Sequence, residues 1–596
     1  MKNINKYIIV VASFFLLFSC ETTELNLRED PNFLTPDQAN VDAFLISIQE
    51  DFVRQIEGDA DYDPNDNWQS GGNTNGDGLS LFGSELTRLI ASTSSKQYST
   101  NYLGSDSDDE WVNAYQGILA DIRAMTPLAE ANGQTKHLAI AQFIEAYVMT
   151  AMVDFYGDIP YTEAIAGAAN LNPAPESGAS IYEAALTLLD NALVNFETDA
   201  TVNPPTIFFY GDDYEKWIKA TNTLKMRLYN QRRLVDPNAF ASITAILNSG
   251  DYISDTADDF QFNWPGTSAS QPDTRHPRYG LNYTATGAQD YMSNWLMNQM
   301  DTSSDPRIRY YFYRQNGTVP GAAGIPPDEE TLSCSLQSAP AHYVAGGFTF
   351  CYLDNGYWGR DHHDDAGDPP SNFLRATFGV YPAGGNFDND RFDTDPKNKN
   401  VAPGSGGGGA GITPILTAAW VDFMQAEIAM VNGDVGAART FMSAGISKSI
   451  TKVLGFASLD KSFNPNEVLV EDDPDTPEDE EVTAEDRYVP SNTDITDYIT
   501  SVETAFDTAD MNGKWDILGE QYFIAVFGNG IESYNFYRRT GYPTTLQPSL
   551  DPNPGTFIRS LFYPANEVNT NSNISQKADQ AQPVFWDTNP TAPAAN

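Results

Sequence analysis

Apolar residues recur every three to four positions along several long stretches of this chain, a spacing that commits those stretches to helices packed on one another. From His137 to Phe155 one face carries Leu138, Ala141, Ile144, Val148, Ala151, Met152 and Phe155. Ile181 to Phe196 repeats the pattern through Ala185, Leu188, Leu189 and Ala192, and Tyr214 to Leu234 through Trp217, Ala220, Leu224 and Leu228. A later pair, Ile415 to Val431 and Val435 to Val453, is split by Asn432-Gly433-Asp434. Asparagine and glycine supply the left-handed backbone that ends a helix, and Asp434 can cap the next one. Trp111, Trp217, Trp295 and Trp420 fall at helical spacing and are expected in the core.

The intervening chain reads differently. Roughly 255–410 is dense in Gly, Pro and aromatics, and Gly404 to Gly411 reads as a flexible connector. Across 457–497 an acidic run extends from Glu471-Asp472-Asp473 to Glu478-Asp479-Glu480-Glu481, interrupted by Pro474 and Pro477. Like charges at that density repel, so a solvated loop is expected. Over the whole chain 81 Asp+Glu face 34 Lys+Arg, a formal charge of −47. Such a surface repels phosphate backbones and anionic lipids, which excludes nucleic acid as a partner.

Lys2 and Lys6 precede an apolar run from Tyr7 to Phe18, too short to span a bilayer but suited to a signal-peptide core. It ends in Leu17-Phe18-Ser19-Cys20, which resembles a bacterial lipobox. Residues 1–19 then form a lipoprotein signal peptide, Cys20 is the lipidated residue, and 20–36 is a tether. No later stretch approaches eighteen consecutive apolar residues, so the acyl chains are the expected membrane contact. Glu21 and Glu24 resemble the surface-export signal of Bacteroidetes lipoproteins.

Several longer motifs are spread along the chain: Asp154-Phe155-Tyr156-Gly157-Asp158-Ile159-Pro160-Tyr161, Asp305-Pro306-Arg307-Ile308-Arg309-Tyr310-Tyr311-Phe312, and Gly356-Tyr357-Trp358-Gly359-Arg360-Asp361-His362. Near the end come Glu532 to Pro543 and Tyr563-Pro564-Ala565-Asn566-Glu567-Val568-Asn569. Together they resemble the SusD/RagB nutrient-binding outer-membrane lipoproteins of Bacteroidetes, in particular the SusD-like branch. The resemblance implies a mostly α fold, one SusD-like domain over 37–596 built on four tetratricopeptide-like helix pairs, although no clean 34-residue period is visible. The helical scaffold would occupy mainly 110–235 and 412–455, an irregular binding lobe mainly 255–410, and a C-terminal segment 456–596. It implies a cell-surface, lipid-anchored, non-catalytic protein that captures a glycan for a SusC-like TonB-dependent transporter. Arg538-Arg539 resembles a buried family motif that holds carboxylates.

Sugar rings have apolar C–H faces and directional hydroxyls, so a site for them needs flat aromatics beside hydrogen-bonding groups. Three loop clusters offer this. Asp66, Asn67, Trp68 and Gln69 form the first, Trp264 with Arg278 and Tyr279 the second, and Trp358 with Arg360 the third. The acidic surface favours a neutral ligand, with a β-glucan such as laminarin as the specific expectation. A peptide ligand of the RagB type is the alternative within the family. A secreted glycoside hydrolase is the alternative outside it, but 81 acids always offer some carboxylate pair. No serine elbow, HExxH or P-loop is present.

Cys334 and Cys351 lie seventeen positions apart. Outside the cytoplasm such a pair favours a disulfide, worth roughly 3 kcal/mol by loop closure. Free thiols, or zinc with His342, His362 and His363, are the alternatives, and Asp361-His362-His363-Asp364-Asp365 lacks paired zinc-ligand spacing. No cofactor and no catalytic metal is expected. Structural calcium stays open at Asp388-Asn389-Asp390 and Asp393-Thr394-Asp395, where the EF-hand pattern fails.

Overall fold

The chain's structure is a computed structural model describing residues 40–58, 78–266, 273–320, 332–366, 373–391, 401–471 and 480–589. Cys20, the tether, the Asp66–Gln69 cluster and Asp393–Asp395 lie outside the described residues.

Each stretch of helical periodicity contains a helix, although Ile415 and Leu416, read as the start of one, belong to a strand that ends just before it. The longer ones are α1 (Val41–Glu57), α2 (Gly78–Leu86), α3 (Ala120–Asn132), α4 (Thr135–Tyr156), α5 (Gly178–Glu197), α6 (Tyr214–Gln231), α7 (Ala239–Ser249) and α8 (Asn294–Thr302). They continue as α9 (Ala418–Val431), α10 (Val435–Leu454), α11 (Asn492–Thr508), α12 (Met511–Ala525) and α13 (Gly530–Thr540). The α9–α10 turn forms as its residues dictate: Gly433 adopts φ 76°, and the Asp434 side chain accepts from Ala437 N at 3.0 Å. α4 packs on α5 and α5 on α6, while α9 packs on α10 and α12 joins both. α4 is long and apolar enough to cross a bilayer, but it is buried almost throughout by its neighbours. Trp111, Trp217, Trp295 and Trp420 are core residues.

Buried charge ties the helical blocks together. Glu427 of α9 receives Arg539 Nε and Nη2, both at 2.7 Å, and Arg233 Nη1 at 2.7 Å. Arg227 Nε of α6 meets Glu532 Oε1 at 2.5 Å. Asp154 accepts from Tyr182, Asn535 and Trp586. Arg539 thus holds a carboxylate as expected. Arg538 instead donates to the carbonyls of Asp154 and Arg559, each at 2.7 Å.

Three short antiparallel pairs stand among the described residues: β1 (Phe260–Asn263) with β4 (Ile412–Leu416), β2 (Phe312–Tyr313) with β3 (Thr377–Phe378), and β5 (Val468–Glu471) with β6 (Glu480–Thr483). The last pair corrects the reading of the acidic run as loop throughout. Its flanks carry Val468, Val470 and Val482, and β-branched residues suit an extended ladder. Gly404–Gly411 is also corrected. Gly407 N and Gly409 N donate to the Gly385 and Gly384 carbonyls at 3.0 Å, and a Cβ at Gly411 would lie 2.0 Å from Pro382 O. Glycine serves there for close backbone approach rather than for freedom.

Cys334 and Cys351 are disulfide-bonded, so neither sulfur is available to zinc. Asp388 and Asp390 face guanidinium groups: Arg314 Nε reaches Asp388 Oδ2 at 2.6 Å and Arg309 Nη1 reaches Asp390 Oδ1 at 2.9 Å. Arginine thus engages the Asp388 and Asp390 carboxylates, while Asp393–Asp395, the other half of the calcium expectation, lie outside the described residues.

Candidate functional site

The three aromatic residues expected to form platforms in the described lobe are instead packed. Trp264 is 7% exposed, its Nε1 donating to Thr413 Oγ1 at 2.9 Å and its ring set edge-on to Phe262. Tyr279 stacks on Tyr283 at 4.4 Å and donates to Ser405 O at 2.9 Å. Trp358 is fully buried against Leu332, Leu374 and the disulfide, with Nε1 on Thr318 O at 2.8 Å. Glycine and proline around these rings mark backbone closing over them, not open loop.

Arg278 and Arg360 are buried too, but they stand behind a cleft of about 260 Å³ that sequence reasoning missed. One wall comes from α2, through Leu81, Phe82 and Glu85. Thr93, Ser94, Asn101, Tyr102 and Asp106 supply the second, and Gln289, Asp290 and Tyr291 the third. Ala91 N donates to Tyr291 O at 2.9 Å, and Ile90 bridges Met292, which fixes the chain leading into the second wall against the third. Asn282 holds the 289–291 turn: its Oδ1 accepts from Gln289 N and Asp290 N, and its Nδ2 donates to Asp290 Oδ2 at 2.6 Å. Arg278 Nη1 lies 3.4 Å from Asp290 Oδ1. The guanidinium carbons of Arg360 and Arg375 sit 4.6 and 3.7 Å from the Tyr291 ring centre. These cations brace a half-buried tyrosine whose ring lines the cleft.

The polar lining is equally ordered. Ser92 and Ser94 hydroxyls both donate to Asn101 Oδ1, at 3.0 and 2.5 Å. That fixes the amide and leaves Asn101 Nδ2 buried with no partner. An unmet buried donor is costly unless something else supplies the acceptor. Tyr102 sets its ring edge-on to Phe82 and donates to Glu85. Asp106 accepts from Leu103 N at 2.7 Å.

Beneath the cleft, Glu57 ends α1 with its carboxylate 3.9 Å from Arg278 Nε and 3.7 Å from His276 Nε2. Burial pushes the Glu57 carboxyl up to about 8 against the pull of Arg278. Burial and then the Arg278 charge push His276 down to about 3. Just beyond Glu57, a Cβ on Gly78 (φ 64°) would lie 2.4 Å from Gly58 N. The chain between them, which carries Asp66–Gln69, therefore leaves and returns at one point, at the head of the helix that lines the cleft.

Two family profiles match the sequence. One, described as starch-binding and associating with the outer membrane, covers residues 66–340; the other, SusD and RagB outer-membrane lipoprotein, covers 411–583. The chain belongs to the SusD/RagB family. Solved SusD-like structures share the fold at low identity. A SusD homolog from Bacteroides fragilis is 16% identical with a TM-score of 0.61, over 92% of this chain and 100% of its own. A SusD/RagB family protein from Bacteroides thetaiotaomicron is 14% identical with a TM-score of 0.60, over 92% and 99%. A chitin-binding SusD homolog from Flavobacterium johnsoniae is 18% identical with a TM-score of 0.56, over 86% and 94%. No curated protein matches the sequence. The mostly helical SusD-like fold read from the motifs is the fold observed.

Proposed function

We propose that this SusD-like protein captures a neutral glycan in the Tyr291 cleft, without cleaving it, for delivery to a SusC-like TonB-dependent transporter. The observation that carries the reading is the pairing of the Tyr291 ring with the buried, unsatisfied amide donor of Asn101 in one lining. A pyranose meets both needs: its C–H face lies on the ring and a hydroxyl or amide oxygen accepts from Asn101. Glu85 and Asp106 can accept hydroxyl protons but repel carboxylate and sulfate, which favours uncharged sugars over uronic or sulfated polymers. A chitin-binding relative in the same fold supports the glycan class.

Binding without turnover suits carboxylates already engaged by protein groups: Glu85 by Tyr102, and Asp290 by Asn282 and Arg278. Family membership supports placement at the outer membrane; lipidation at Cys20 and display on the cell surface extend that reading. Calorimetry against defined oligosaccharides and peptides, with chromatography of the same mixtures over time, tests it. Binding of laminarin or chitin oligomers without fragments is expected. Preference for a sulfated or uronic polymer, preference for peptides, or accumulation of fragments would each overturn the corresponding part.

A further inference from the structure

Of the eight tryptophans in the described residues, seven are buried. The eighth is Trp515, on the first turns of α12 and only half-buried. Its ring stacks on Tyr542, also half-buried, with centres 5.6 Å apart and planes 17° from parallel. One turn earlier Met511 is 51% exposed. A large planar pair with an adjoining apolar side chain is an expensive thing to leave wet on a surface otherwise so acidic.

The polar groups around the pair have a direction. Tyr542 donates to Asn512 Oδ1 at 2.8 Å, which orients that amide. Neither Asn512 Nδ2 nor Trp515 Nε1 has a partner among the described residues, so two N–H donors border the rings. Asp516 accepts from Thr544 N and Oγ1 at 2.6 and 2.9 Å, which fixes the Tyr542 segment against α12. Lys514, the base in this part of the helix, is turned onto the carbonyls of Phe506 and Ala509 at 2.5 and 2.6 Å. Among the described residues no cation of this helix turn is therefore presented to recognise an anion.

We propose that Trp515 and Tyr542 form a second glycan-contacting surface, separate from the cleft, which holds a neutral pyranose chain by ring stacking and by donors at the ring edges. It rests on the glycan-binding reading above. A polymer that touches both places gains avidity that a short oligomer in the cleft alone does not have. The Trp, Tyr and Met composition also suits a protein interface, but the paired edge donors and the absence of a presented cation among the described residues favour a sugar, with Asp510 and Asp516 beside Tyr542 as hydroxyl acceptors.

The test uses the full chain with two probes, laminarin and the hexamer of β-1,4-linked N-acetylglucosamine. Hydroxyl-radical footprinting read by mass spectrometry should show Trp515 oxidation falling at least several-fold with a saturating probe. Trp515→Ala and Tyr542→Ala should each weaken retention on immobilised laminarin by about tenfold. Asn512→Ala, which removes a donor but no ring, keeps the question decidable if a ring variant misfolds, and should also weaken retention. Unchanged oxidation and unchanged retention, in a protein whose glycan binding Tyr291→Ala abolishes, would overturn this surface and leave the cleft reading standing. Failure of both probes to bind anywhere would overturn both. Normal glycan retention by Trp515→Ala together with loss of a protein partner would assign the surface to that partner instead.

Discussion

Glu427 and Arg539, 112 positions apart, meet as a two-pronged ion pair in which both guanidinium nitrogens lie 2.7 Å from the carboxylate. Arg233 approaches the same carboxylate, so one buried acid compensates two buried bases. Glu427→Gln removes the carboxylate that both cations contact and should cost about 3–5 kcal/mol, read as a lower urea midpoint. The pair also has a pH signature. Burial pushes the Glu427 carboxyl up, but the two arginines outweigh it and hold it at about 2. Its contribution is fully present above the unfolded value of 4.5 and is lost as pH falls toward 2.

Glu57 has the opposite sign. Its folded value of about 8 lies above the ordinary 4.5, so the fold binds a proton there that the unfolded chain releases. The associated stability is complete below about pH 4.5 and declines as pH rises through 8, by at most about 1.4 kcal/mol per pH unit. Glu57→Gln should flatten the fall in urea midpoint between pH 5 and pH 8. An identical pH dependence in both proteins would mean that Glu57 is already ionised in the fold at neutral pH.

In the cleft, Asn101→Ala should lower glycan affinity by about tenfold while stability changes little. The substitution removes the hydroxyl-bound amide but also removes a buried donor that the free protein leaves unmet. Tyr291→Ala should cost more, because Arg360 and Arg375 lose the ring they rest on as the ligand loses its platform. Calorimetry and thermal melts on the same samples separate the two effects.

Trp264→Ala should act as a core truncation and not as a binding mutation. Loss of a buried indole with a satisfied N–H predicts about 3–5 kcal/mol of destabilisation, with affinity preserved in the fraction that folds. Denaturant titration followed by calorimetry below the transition checks both halves.

Helices were legible because burial selects a repeating face, and α4, α5, α9 and α10 follow their apolar periods closely. The turn at Gly433 was legible because its chemistry is local. Irregular chain offered no such rule. Trp264, Tyr279 and Trp358 sit among glycines and prolines, which suggests open loop, yet which side of a ring another segment covers depends on contacts distant in sequence: Thr413, Ser405 and Thr318 for these three. Gly404–Gly411 misled for the same reason, since a glycine run serves close packing as readily as motion. Arg278 and Arg360, candidates for ligand contact on sequence, are buried behind Asp290 and Tyr291. Asn101 and Tyr291 carried no local signal at all. Their significance arises only where Ser92, Ser94 and the 289–291 turn converge.

Gly58 and Gly78 pinch the chain so tightly that a methyl group at Gly78 would strike the Gly58 nitrogen. Because the pinch belongs to the ends of α1 and α2, it fixes nothing about the length of what is strung between them. Insertions or deletions between the two glycines would therefore leave α1 and α2 in register. Such a neck lets that stretch of sequence diverge without any refolding of the helices that flank it.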